Sequence, residues 1–135
     1  MVITLEQADK IVEAASKKAT ELGIRVGISV VDAGGHLVAF KRMDGSGNIV
    51  ADMSQWKAFT SLAFGGADTL TLKQRIGSMP FFAAGPEISG GKIVMLGGGV
   101  PVRQGQELIG AVGVGGGSEE QDDECARVGI AAAIG

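Results

Sequence analysis

In 135 residues the sequence has no tyrosine, one tryptophan, one histidine, one cysteine and three prolines. Each shortage excludes something. Cys125 stands alone and cannot close an internal disulfide, so a reducing, cytoplasmic setting is expected. His36 is the single histidine and has no paired cysteines to help it, which argues against a zinc-type metal site. Aromatic residues make up 4% of the chain, the formal net charge is −3, and the lysines and arginines are scattered. Nucleic acid calls for the opposite, a clustered basic face and stacking rings, and is not an expected partner. No apolar run approaches the roughly 20 residues of a membrane-spanning helix. The opening MVITLEQADK has no basic stretch and no apolar core, so no signal peptide is expected. With three prolines and no Gly-x-y period, collagen is excluded.

What the chain does have is glycine, 23 residues of it, more than twice the usual share of roughly 7%. Hydrophobic residues still make up 45%, so this is no disordered linker. The length suits a single domain over residues 1–135, with a core built mostly of Ala, Val, Ile and Leu. Twelve of the glycines fall between Gly85 and Gly117.

Thr4 and Gln7 form a capping box ahead of an apolar stripe (Leu5, Ala8, Ile11, Val12, Ala15, Ala19, Leu22), which predicts a helix ending at Gly23. VGISVV (Val26 to Val31) and HLVAFK (His36 to Lys41) flank the turn Asp32-Ala33-Gly34-Gly35 and predict a hairpin covered on both faces. A helix capped by Asn48 is expected from about Ile49 to Phe64, and a short one, capped by Asp68 or Thr69, to about Ile76. Met79-Pro80-Phe81-Phe82 reads as buried rather than helical. KIVML (Lys92 to Leu96), Val100 to Val102 and Glu107 to Gly115 read as strands, with Pro101 placing the middle one at an edge or a strand start. Ser118 and Gln121 form a second capping box, and the acidic residues after Ser118 suit the start of a last helix. The order α-β-β-α-α-β-β-β-α suggests five antiparallel strands covered by helices.

Three blocks carry a resemblance: VVDAGGHLVAFKRMDG (Val30 to Gly45), ADMSQWKAFT (Ala51 to Thr60) and GGGVPVRQGQELIGAVGVGGGSEEQDDECA (Gly97 to Ala126). In this order they resemble the GlcG/HbpS family of haem-binding-like proteins, which includes the C-terminal domain of PduO-type proteins. The resemblance implies a profilin-like α/β/α sandwich with a five-stranded antiparallel sheet, and a homo-oligomer. It also implies a small ligand, which in some members is haem, and metabolic settings that include glycolate, diol and glycerol pathways.

Candidate ligand-binding residues follow. His36 could serve as a haem axial ligand or carry a proton, or it could be a half-exposed turn residue. Arg42 and Asp44 flank the loop leaving the hairpin, and Lys57 lies on a mostly apolar helix. Arg42 and Lys57 are the cations suited to a carboxylate, a haem propionate or a phosphate. The alternative for these three is an Arg42–Asp44 clasp and a solvated Lys57. Gly98 and Gly99 belong to the glycine break Gly97-Gly98-Gly99 beside this set, and Pro101 follows it. Gly115-Gly116-Gly117 leads into a helix N-terminus, but no Gly-Lys-Ser/Thr follows and the next residues would repel phosphate. Asp122, in the Gln121-Asp122 pair that matches the family, is expected to be structural or interfacial, and Cys125, among carboxylates, to be unreactive. Two functions emerge: a small-ligand protein binding haem or a related tetrapyrrole, or an enzyme or accessory for a small hydroxy-acid or carbonyl metabolite. An assembly module without a ligand is the third.

Overall fold

The structure is a computed structural model, described here for residues 2–134. Its elements are α1 (Leu5–Glu21), β1 (Gly27–Asp32), β2 (Leu37–Arg42), α2 (Val50–Ala63), α3 (Thr69–Ile76), α4 (Phe81–Ile88), β3 (Gly99–Gln104), β4 (Glu107–Gly115) and α5 (Glu119–Ala133). All strand pairs are antiparallel, in the order β2-β1-β4-β3. The class is therefore α+β with an antiparallel sheet, but the sheet has four strands and not five.

The missing strand is Lys92 to Leu96, and its hydrogen bonds explain why. The Val94 N–H donates to Thr60 Oγ1 (2.9 Å), and the Thr60 hydroxyl reaches the Lys92 carbonyl (3.3 Å). The Ile93 N–H donates to Ser89 Oγ, and the Leu96 carbonyl accepts from the Thr69 hydroxyl. Side chains of α2 and α3 meet the backbone's needs, so this apolar segment lies against helices instead of joining a ladder. Three smaller expectations also change. Asn48 does not cap α2, whose N-cap is Ile49 with no side-chain bond. Residues 81–88 are helical, entered through Pro80, whose fixed φ suits a helix start. Met79 before them is 52% exposed, while the side chains of Phe81 and Phe82 lie outside the described residues. β2 is an edge strand and largely open, not covered on both faces.

The two capping boxes form as expected, at Thr4/Gln7 and Ser118/Gln121. They start α1 and α5, which pack on one face of the sheet and on each other. Ile28, Val30, Val100, Val102, Val112 and Val114 meet Ile11, Ala15, Cys125 and Ala126 there in a single core cluster. The other face is made of different material. Ser29, Gly113 and Gly99 lie side by side in register across β1, β4 and β3. All three face α2. A Cβ on Gly113 would overlap the Ser54 carbonyl, one on Gly99 would overlap the Lys57 carbonyl, and the Ser29 and Ser54 hydroxyls are 2.7 Å apart. Helix α2 thus rests with its backbone almost on the sheet, and Val31, Ala58 and Ala111 supply the small apolar contact beside it.

Candidate functional site

The residues singled out from the sequence fall in four separate places. His36 sits at the end of the β1–β2 turn with its side chain 82% exposed. Its position is fixed by Asp32. One carboxylate oxygen, Oδ1, accepts from the Gly34 N–H (2.9 Å), the His36 N–H (3.0 Å) and His36 Nδ1 (3.1 Å). Burial works to raise the Asp32 pKa, but the hydrogen bonds from His36 and Gly34 outweigh it and hold the carboxyl below its ordinary value. An ionised carboxylate only accepts, so the contact calls for the proton on Nδ1, and in the neutral imidazole this leaves the Nε2 lone pair free. Beside the turn a shallow hollow of about 150 Å3 is lined by Ala33, Gly35, Phe59 and Leu62. Lys92 places its ammonium 5.7 Å from the Phe59 ring and 5.9 Å from the Trp56 ring.

Arg42 and Asp44 lie elsewhere, in a cleft of about 660 Å3 between the end of α1 and the loop after β2. Arg42 donates to the Ser46 carbonyl (3.1 Å). Pro101 faces a third cleft, of about 310 Å3, with Asp68, Arg75 and Arg127.

Lys57, Gly98 and Gly99 come together, and Asp122 joins them. The Lys57 side chain is 3% exposed and that of Asp122 1%. Lys57 Nζ donates to Asp122 Oδ2 (3.0 Å) and to the Val114 carbonyl (2.9 Å). The second carboxylate oxygen, Asp122 Oδ1, accepts from the Gly117 N–H (2.8 Å). Burial raises the Asp122 pKa, opposed by Lys57 and by the N–H groups of Gly116 and Gly117. A Cβ on Gly98 would press within 3.1 Å of Lys57 Cδ and 2.9 Å of Asp122 Cβ, so the pair is buried where side chains are missing. Glu119, one turn earlier on α5, accepts from Lys73 (2.8 and 2.9 Å) and from the Gly97 N–H (2.7 Å). Above the pair opens a cleft of about 260 Å3 with Ile49, Val50, Met53 and Leu96 on its walls. Cys125 is buried nearby, and desolvation first, then the charges of Asp122 and Glu124, push its thiol up to about 11. It is no nucleophile.

The Lys57–Asp122 pair is what residue-by-residue reading missed. In the sequence Lys57 is a cation on a mostly apolar helix and Asp122 is half of a Gln-Asp pair, and neither residue by itself points to the other. Small residues at Ser54 and Ser61, one turn either side of Lys57, were the sequence signal that this flank of α2 is close-packed.

A three-layer domain with α1 and α5 on one face of an antiparallel sheet and a single helix on a glycine floor is the class defined so far. The family model for haem-degrading HbpS-like proteins matches residues 3–131, and the chain belongs to the HbpS-like family. It is 38% identical over 122 residues to the uncharacterized 15.0 kDa protein of the dhaT-dhaS intergenic region of Citrobacter freundii, covering 89% of this chain and 84% of that one. The solved structure of the Klebsiella pneumoniae protein ORFY superposes with a TM-score of 0.88 at 33% identity, over 96% of this chain and 89% of that chain. The solved structure of the PduOC complex with haem superposes with a TM-score of 0.87 at 29% identity, over 98% of this chain and 95% of that chain. Among the described residues, no helix is long and apolar enough to cross a membrane.

Proposed function

We propose that this protein binds haem at the hairpin end of α2, with His36 Nε2 as an axial ligand. The observation that carries the reading is the Asp32–His36 contact. Metal-binding imidazoles commonly donate their other N–H to a carboxylate, which fixes tautomer and ring orientation. Here that second partner is in place, itself pinned by two backbone N–H groups, and the ligating nitrogen faces outward. The surroundings suit a flat apolar group with acidic arms. Phe59 and Leu62 line the hollow, Leu37 and Phe40 are 48% and 38% exposed on the neighbouring edge strand, and Lys92 supplies a cation for a propionate. The cleft above Lys57 does not suit haem. Its one bordering lysine is already paired with Asp122 and is not available to a propionate. Bound haem would supply iron redox chemistry, while Asp32 would orient the His36 imidazole toward it. The haem complex of the PduOC relative and the family's description support the reading.

Titration with hemin tests it. A saturable Soret shift at one equivalent is expected, lost or moved in His36→Ala and weakened in Asp32→Asn. No saturable shift would end the haem reading, and a shift indifferent to His36→Ala would remove His36 as ligand.

We infer further that residues 1–135 act as one domain and that copies associate. Met79 and Ile88, 52% and 73% exposed, are apolar groups such a contact would cover. Sedimentation velocity showing a monomer at all concentrations would refute association.

A further inference from the structure

The cleft above the Lys57–Asp122 pair lies toward the opposite end of α2 from His36 and is not used by the haem reading. Stability does not account for the pair. A buried ion pair is on average no better than a well-packed apolar pair of the same volume. Lys57 has three ammonium protons. Two are spent on Asp122 and the Val114 carbonyl, and both Lys57 and Asp122 are among the residues that line the cleft.

The charges decide what could enter. Lys57 is neutralised by Asp122, and the N–H groups of Gly116 and Gly117 are turned to Asp122 as well. Glu119 borders the same cleft, with its own charge answered by Lys73. No positive charge is left over, so an incoming carboxylate would face two carboxylates without a cation of its own. A neutral oxygen meets no such penalty and accepts the third Lys57 proton. Size sets the other limit: at a water's share of about 30 Å3, the space holds the equivalent of roughly nine waters. The walls formed by Ile49, Val50, Met53 and Leu96 favour a carbon skeleton.

We propose that this cleft binds a small neutral molecule bearing a carbonyl or hydroxyl oxygen, anchored by Lys57 Nζ, and that it rejects carboxylates of the same size. This reverses the sequence-based expectation that Lys57 would hold a carboxylate, a propionate or a phosphate, because that expectation lacked Asp122.

The test uses the 15N-labelled full chain with cyclopentanone as probe and butyrate, with the same number of non-hydrogen atoms, as its charged match. Cyclopentanone should give saturable shifts of the Leu96, Gly116 and Gly117 amides in the millimolar range, as suits so small a ligand. Butyrate should bind about tenfold more weakly or worse, because its charge meets like charges. Ile49→Trp at the exposed rim and Met53→Trp on the wall should each abolish the response, while His36→Ala should leave it intact and so separate this site from the haem reading. Absence of saturable cyclopentanone shifts would overturn the proposal. So would equal binding of butyrate, or a response that survives both Trp variants.

Discussion

Gly113 and Gly115 sit two residues apart on the same face of β4, and the structure makes them opposites. A Cβ on Gly113 would overlap the Ser54 carbonyl and crowd the Ala58 amide nitrogen at 2.9 Å. Both are backbone atoms of α2, so no side chain can swing away. A Cβ on Gly115 would meet the Met53 Cγ and Sδ at 3.6 Å, an ordinary contact with a flexible side chain. Neither glycine has a positive φ, so backbone strain is the same for both and only space differs. Gly113→Ala must lift α2 off the sheet or bend the central strand. Overpacking costs about 1–3 kcal/mol, and the upper end applies where the obstacle is backbone on both sides. Gly115→Ala should fall within about 0.5 kcal/mol of wild type, or gain up to about 1 kcal/mol by restricting the unfolded chain. Urea denaturation should therefore separate the two variants by about 2–3 kcal/mol, which at this size is about 10 °C in Tm. Equal midpoints for the two would refute the claim that α2 rides on the sheet backbone. So would a Gly113→Ala variant as stable as wild type.

Thr60→Val should leave the Val94 N–H and the Lys92 carbonyl without their Thr60 partner and cost about 1–3 kcal/mol; unchanged hydrogen-exchange protection at Val94 would show that this hydroxyl does not hold the segment. Lys57→Met should cost about 3–5 kcal/mol, because it strands a buried carboxylate, and adding Asp122→Asn should recover part of the loss; a stable single variant by urea denaturation would deny the pair its buried status. The Lys73 hydrogen bond first, then the Gly97 N–H, hold Glu119 below its ordinary pKa of 4.5 despite burial, so its contribution is present above that value and is lost as pH falls through the folded pKa. Asp122 works in the opposite sense, since its raised pKa favours the fold in acid. Glu119→Gln should accordingly flatten the acid-side loss of stability in denaturation curves, and a profile parallel to wild type would refute the assignment.

Much of this fold is legible because the deciding interactions are local. The capping boxes span three residues, and the hairpin turn is closed by Asp32 and its near neighbours. Where reading failed, the partner was distant. Lys92 to Leu96 has the composition of a strand, and besides nearby Ser89 it is Thr60 and Thr69, about 30 residues away, that make it something else. Lys57 and Asp122 are 65 residues apart, and nothing in a single chain says that a lysine on α2 and an aspartate on α5 share a hydrogen bond. His36, Arg42, Lys57 and Pro101 all lie in the matched blocks yet sit in separate places, since strand direction and helix face, not membership of a block, decide what converges.

The glycine surplus follows from the same geometry. On the α1 and α5 side, bulky Val and Ile fill the space between layers, and their meeting is an apolar core. On the α2 side the layers nearly touch, so the polar groups between them, Ser29, Ser54, Lys57 and Thr60, are held by backbone at close quarters rather than by packing of mobile side chains. Such groups lose little freedom when a ligand arrives, which is the condition for a preorganised site. Gly98 and Gly99 show the dependence most directly. Without them Lys57 could not lie flat between β3 and α5, Asp122 would lose its cation, and the first turns of α5 would carry an unanswered buried charge. The glycines before β3 are therefore as much a part of the Lys57 site as the lysine itself, although they donate nothing to it.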